Sequence, residues 1–124
     1  MNLFADTIAP VRRLNTAELF LVRIVAKPFP ENPEAREFGG AYVNCWVDAD
    51  ELRVAETRTL EVIESEAWRP AKFDHWELVS RRFYFENSSL NEDERSEFLN
   101  RVDEAFQFGI SSVFNTWPLD APDA

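Results

Sequence analysis

His75 is the only histidine of the chain, with Asp74 beside it and Glu77 two residues on, a grouping that could act as an acid-base dyad or as part of a metal site. Cys45 is the only thiol. Zinc sites draw several ligands from Cys and His, so Cys45 with His75 would need carboxylates to complete a set. A Cys45/His75 nucleophile pair would need a thiolate in a partly open, electropositive setting. Cys45 instead stands on the small-residue side of the alternating run Ala41-Tyr42-Val43-Asn44-Cys45-Trp46-Val47, which places it in a core. Gly39-Gly40 is no phosphate loop, because a strand and not a helix N-terminus follows it. No Gly-x-Ser-x-Gly, His-Glu-x-x-His or Gly-Lys-Ser/Thr pattern occurs. The chain therefore reads as non-catalytic, with no metal and no cofactor.

Residues suited to recognition are easier to find. The run from Ala41 to Val47 sends Tyr42, Asn44 and Trp46 to one side, and Ser111, Val113, Asn115 and Trp117 share a side of a later run, so an Asn-x-Trp pattern recurs. If these sides coincide, a Tyr/Trp/Asn surface forms on one sheet face, and aromatic-rich surfaces are enriched at interfaces. Such a face invites comparison with the RNA-recognition strand motif. Across Phe38 to Cys45, Gly39, Ala41, Tyr42 and Val43 agree with that motif, but its basic residue and its first and last aromatics are missing.

The elements that would position these residues follow from pattern. Leu19 to Val25 is a branched and aromatic run too short for a helix and reads as a buried strand. Three prolines between Lys27 and Pro33 break it into a surface loop that Gly39-Gly40 closes. Ala41–Val47 is the second strand. Asp48 with Glu51 forms a capping-box pattern and Val47 with Leu52 a hydrophobic staple, which predicts a helix from Asp48 to about Trp68, stopped by Pro70. Residues 71–85 fit neither period, and a strand is expected over their first half. Ser89 with Glu92, or Asn91 with Glu94, starts a second helix whose buried stripe is Phe98, Leu99, Val102, Ala105 and Phe106, with Gly109 at its left-handed end. Ile110–Trp117 is the last strand. The expected fold is α+β: a two-layer sandwich of about four mainly antiparallel strands with two helices on one face, ferredoxin-like, in the order β-β-α-β-α-β. It forms one domain over residues 1–124, with an N-terminal extension over 1–17, which could hold a short element, and a frayed tail over 118–124.

The chain has 124 residues, enough for one hydrophobic core, and its formal charge is −10. From Asp48 to Glu66 seven acids face two arginines, a net of −5, and from Asn91 to Glu104 six acids face two arginines, a net of −4. With both helices on one face, Glu56, Glu61, Glu64 and their neighbours would form a single acidic plate. Such a field favours a basic partner and disfavours nucleic acid and membrane surfaces. One cysteine excludes a disulfide scaffold, and neither an 18-residue apolar run nor a signal-peptide pattern occurs, so a cytoplasmic location is expected. The functional expectation is a small acidic interaction domain that binds, or as an immunity-type protein inhibits, a basic protein partner through Glu56, Glu61 and Glu64 or through Tyr42, Asn44, Trp46, Asn115 and Trp117. The alternatives are self-association through the aromatic sheet face and a small-ligand or enzymatic pocket near Asn44, His75 and Asn115.

Overall fold

The structure, a computed structural model, describes residues 15–120. The element expected in residues 1–15 and the end of the tail lie outside the described residues. Strand β1 (Leu19–Pro28) pairs antiparallel with β2 (Phe38–Val47). The hairpin link carries a 3-10 turn at Pro33–Arg36, capped where Asn32 Oδ1 accepts from the Glu34 N–H at 2.9 Å. Both strands outrun their expected ends. Ladder pairing reaches Pro28 and starts again at Phe38, so Gly39 and Gly40 lie inside β2 rather than in the loop.

Helix α1 (Leu52–Ser65) follows β2. It starts later than the Asp48 capping pattern predicts, and its N-cap, Glu51, makes no side-chain cap bond. The reason is that Asp48 is still tied to the sheet: its N–H donates to the Gly109 carbonyl at 3.0 Å, and its carbonyl accepts from Arg58 at 2.9 Å. The chain reverses through Ala67, a non-glycine residue at φ 62°. Strand β3 (Trp68–Val79) then adds antiparallel to the free edge of β1. Pro70 does not stop a helix there, because β3 is an edge strand, where proline is tolerated. Two register shifts leave Ala71 and Asp74 as extra residues opposite β1. A short helix α2 (Arg81–Phe85), unannounced by any clear period, leads to α3 (Glu92–Phe108). The start and end of α3 match expectation: Asn91 and Glu94 form a complete capping box, and Gly109 takes φ 92°. Strand β4 (Ile110–Pro118) closes the order β3-β1-β2-β4, every neighbouring pair antiparallel.

Among the described residues the fold is therefore α+β with one four-stranded sheet and the three helices α1 to α3, and the strand order and helix count are not the ferredoxin-like ones expected. The two long helices lie on opposite faces. On the first face Phe20, Val22, Ile24 and Ala26 with Ala41, Val43, Cys45 and Val47 form a core closed by Ala55 and Ile63 of α1 and by Trp68. On the second face Leu19, Leu21, Trp46 and Val113 pack under Tyr84 of α2 and Phe98, Val102 and Ala105 of α3. The sandwich has three layers because alternate residues of β1 and β2 are apolar on both sides at one end of the sheet, and each side needs a cover. The single acidic plate is corrected with it: the acids of α1 and α3 face away from each other across the sheet.

Ala67 generates a prediction. A left-handed residue with a Cβ costs about 1–2 kcal/mol, and at a helix C-terminus glycine carries no such cost. Ala67→Gly should stabilise the protein by about 0.5–1 kcal/mol after the extra unfolded-state entropy of glycine is counted, read as a raised urea midpoint with an unchanged slope.

Candidate functional site

The Tyr42/Asn44/Trp46 side of β2 and the Ser111/Val113/Asn115/Trp117 side of β4 do coincide. Tyr42 is the cross-strand partner of Asn115, Asn44 of Val113 and Trp46 of Ser111, while Trp117 stands opposite Gly40. They share the second face, but they do not form one open surface. Trp46, Asn44 and Ser111 are buried, and Tyr42, Val113, Asn115 and Trp117 retain exposure. The correction follows from the position of α3, which crosses the end of this face that carries Leu19, Leu21 and Trp46.

Where α2 and α3 stop covering the sheet, a cleft of about 450 Å³ opens. Its floor is Leu21, Arg23, Asn44, Trp46, Val113 and Asn115; Glu77 lies on the β3 side, and Phe83, Tyr84, Phe98 and Glu97 form the roof. The roof is fixed from several directions. Ser80 caps α2 by accepting from the Phe83 N–H at 3.1 Å. Arg95 donates to the carbonyls of Tyr84, Asn87 and Leu90, and the Arg81–Asp103 ion pair joins α2 to α3. Tyr84 stacks on Phe98 with ring centroids 5.0 Å apart, and the Trp46 indole N–H donates to its phenol oxygen at 2.8 Å. That bond leaves the phenol's own proton without an acceptor among the described residues. Burial pushes the Tyr84 phenol up to about 12; the Trp46 donor works against that rise and the Glu77 carboxylate adds to it. Tyr84 is thus a neutral donor at the back of the cleft.

The polar groups of the floor are ordered as well. Arg23 donates through Nε to Asn44 Oδ1 at 2.9 Å, lies over the Tyr42 ring at 5.6 Å and stands 4.0 Å from Asp74. The Asn44 NH2 and the exposed Asn115 amide complete a set able to donate and accept. Trp117 reaches across the sheet. A Cβ on Gly40 would come within 2.3 Å of its six-membered ring, so the glycine leaves the gap in which the indole lies. Lys27 Nζ sits over that ring at 5.4 Å, and the Tyr42 and Trp117 rings are 5.4 Å apart.

Other expected groups fall elsewhere. His75 is outside the cleft, exposed and 3.9 Å from Glu77. Cys45 lies fully buried beneath α1, where desolvation pushes its thiol up to about 12 against a counteracting bond with Thr59, and this keeps it protonated. No cluster of three His, Cys, Asp or Glu side chains suited to a metal occurs among the described residues, nor is any described helix long and apolar enough to cross a membrane. Glu56, Glu61 and Glu64 lie on α1, on the far side of the sheet, and form no ion pair among the described residues. The acids of α3 are mostly engaged: Glu92 with Arg95, Glu97 and Glu104 with Arg101, Asp103 with Arg81. Sequence reasoning missed Arg23 and Tyr84, and it grouped Glu77 with His75 rather than with the cleft residues. For Arg23 there was a signal, a lone charge inside an otherwise apolar strand. The chain matches no known family model, no curated protein and no solved structure.

Tyr84→Phe would leave the buried Trp46 N–H without its acceptor, at a cost of about 1–3 kcal/mol in urea unfolding. Tyr84 and Cys45 also set the alkaline limit. Below pH 9 folded and unfolded chains both hold these protons, and the stability they carry is full. Between about 9 and 12 the unfolded chain releases them while the folded chain keeps them, so stability should fall with rising pH. Melting curves from pH 8 to 11.5 check this, with Tyr84→Phe losing the portion that sets in above pH 10.

Proposed function

We propose that this protein is a non-catalytic binding domain whose site is the cleft on the second sheet face. One observation carries the reading: the Arg23 guanidinium, the Asn44 and Asn115 amides, the Tyr84 phenol and the Glu77 carboxylate converge over an apolar and aromatic lining. A few oriented polar groups in a mostly apolar concavity is the usual make-up of a ligand site. A bound molecule would place an apolar or ring portion against Leu21, Phe83, Phe98 and Val113, with polar substituents on Tyr84 and the amides. The preformed bonds of Arg23 to Asn44 and Trp46 to Tyr84 reduce the ordering cost of binding. No group in the cleft is arranged as nucleophile and base, which is why the reading is binding and not turnover.

A second reading rests on a different observation. Glu56, Glu61 and Glu64 share one side of α1 and are not neutralised by neighbouring arginines, so a basic protein could dock there with an on-rate that falls with salt. Self-association through the aromatic sheet face loses ground, since Trp46 is sealed by α2 and α3.

An NMR titration separates the two. Small polar aromatic compounds should shift the Asn44, Asn87 and Asn115 side-chain amides and the Trp46 indole N–H, and Asn115→Trp, which fills the cleft mouth, should abolish those shifts. A lysine-rich peptide that moves only the signals around Glu56, Glu61 and Glu64 would transfer the site to α1. Shifts unaffected by Asn115→Trp would remove the cleft reading.

A further inference from the structure

Two charges of opposite sign line the cleft and do not pair with each other. Glu77 opposes Leu21, and Arg23, two residues further along β1, opposes His75, so Arg23 and Glu77 are diagonal neighbours on the second face. Their side chains are 45% and 41% accessible. The contacts they make elsewhere are long: Arg23 Nη1 stands 4.0 Å from Asp74, and His75 Nε2 stands 3.9 Å from Glu77, and an exposed pair of this kind is worth little. Of the five guanidinium N–H donors, the bond to Asn44 uses one, at Nε. That bond and the Tyr42 ring hold the guanidinium in place and leave its terminal nitrogens for a carboxylate. Glu77 accepts no hydrogen bond among the described residues. Beside the two charges the lining turns apolar, with Leu21 on the floor and Phe83 and Phe98 in the roof.

We propose that the cleft takes a free aromatic α-amino acid as its zwitterion, with the carboxylate on Arg23, the ammonium on Glu77 and the ring between Leu21, Phe83 and Phe98. The inference rests on the reading of the cleft as the binding site, and it names the ligand class. The charge pattern selects that class. An aromatic acid would meet Glu77 as a like charge, an aromatic amine would meet Arg23 as one, and a neutral ring compound would leave both unused. A zwitterion gives each its opposite. Diagonal positions in an antiparallel pair are about 7–8 Å apart, so the two head groups converge on a ligand whose charges sit on one carbon. Size agrees with this. At about 450 Å³ the cleft lies toward the lower end of the range of about 300–1,000 Å³ for ligand pockets, which suits one ring with a short charged arm and not a polymer.

The test is an NMR titration of the full chain with L-phenylalanine, with phenethylamine, which lacks the carboxylate, and with 3-phenylpropionate, which lacks the ammonium. L-phenylalanine should bind with a Kd below about 1 mM. Each analogue should bind at least about tenfold more weakly, the effect of losing one charged contact. Arg23→Gln should bring L-phenylalanine down to the level of phenethylamine and leave phenethylamine no weaker. Glu77→Gln should bring it down to the level of 3-phenylpropionate and leave that acid no weaker. Circular dichroism confirms that each variant is folded. A role of Arg23 or Glu77 in the fold alone would weaken all three ligands alike, and that result would overturn the proposal. So would the absence of a saturable shift up to about 10 mM L-phenylalanine, tenfold above the expected limit, or an analogue that binds as tightly as the amino acid. Equal binding of L-phenylalaninamide would overturn it too, by assigning the site to a peptide N-terminus. Failure of these selectivities while a cleft ligand remains sensitive to Asn115→Trp would remove this inference alone.

Discussion

A strand pair that is apolar on both faces cannot leave either face to water, and β1 with β2 is such a pair over the end that holds Leu19, Phe20, Leu21, Trp46 and Val47. Burying an aliphatic or aromatic side chain is worth about 1.5–3 kcal/mol, so this end of the hairpin demands a helix above and a helix below. The path of the chain follows: α1 returns beneath the sheet to place β3 beside β1, and α2 and α3 cross above it to place β4 beside β2. The other end of the pair is apolar on one face only. There Arg23, Lys27 and Tyr42 replace the aliphatics, none of α1, α2 and α3 lies over them, and the boundary between the two regimes is the cleft.

This boundary explains how the sheet combines rigidity with access. Tyr84 and Trp46 are held by packing and by each other, while Asn115 and Arg23, a few residues further along the strands, meet solvent. The electrostatics divide in the same way. Acids gather on the outer surfaces of the helices, those of α3 largely cancelled by Arg81, Arg95 and Arg101, while Arg69 and Lys72 of β3 are exposed and form no ion pair among the described residues.

Much of this was legible in the residues. The alternation from Ala41 to Val47, the Asn91/Glu94 capping box, Gly109 and the last strand are local signals, and local geometry obeys them. The shared face of Tyr42 and Asn115 was legible too, since period 2 fixes it once the strands pair. What was not legible depends on partners distant in sequence. Asp48 carries a helix-start signature yet stays bound to Gly109, because a sheet bond already holds its N–H. Trp46 looks like an exposed aromatic until Tyr84, thirty-eight residues on, supplies its acceptor. The side of the sheet on which each helix lies is a choice of crossover, and nothing in either helix states it. Gly40 reads as a loop residue, and its role in seating an indole requires knowing that β4 pairs with β2.

Strand β3 has one more consequence. It is an edge, and Phe73, Trp76 and Leu78 stand more than 40% exposed along it, a combination that in a flat strand would recruit further chains into a growing sheet. Pro70 removes one outward donor, and the extra residues Ala71 and Asp74 interrupt the ladder twice within a few positions. A neighbouring chain would find its longest uninterrupted run of backbone groups over residues 75–79. The same irregularities that spoil the periodicity of residues 71–85 thus shorten the stretch of this aromatic rim that a second chain could extend.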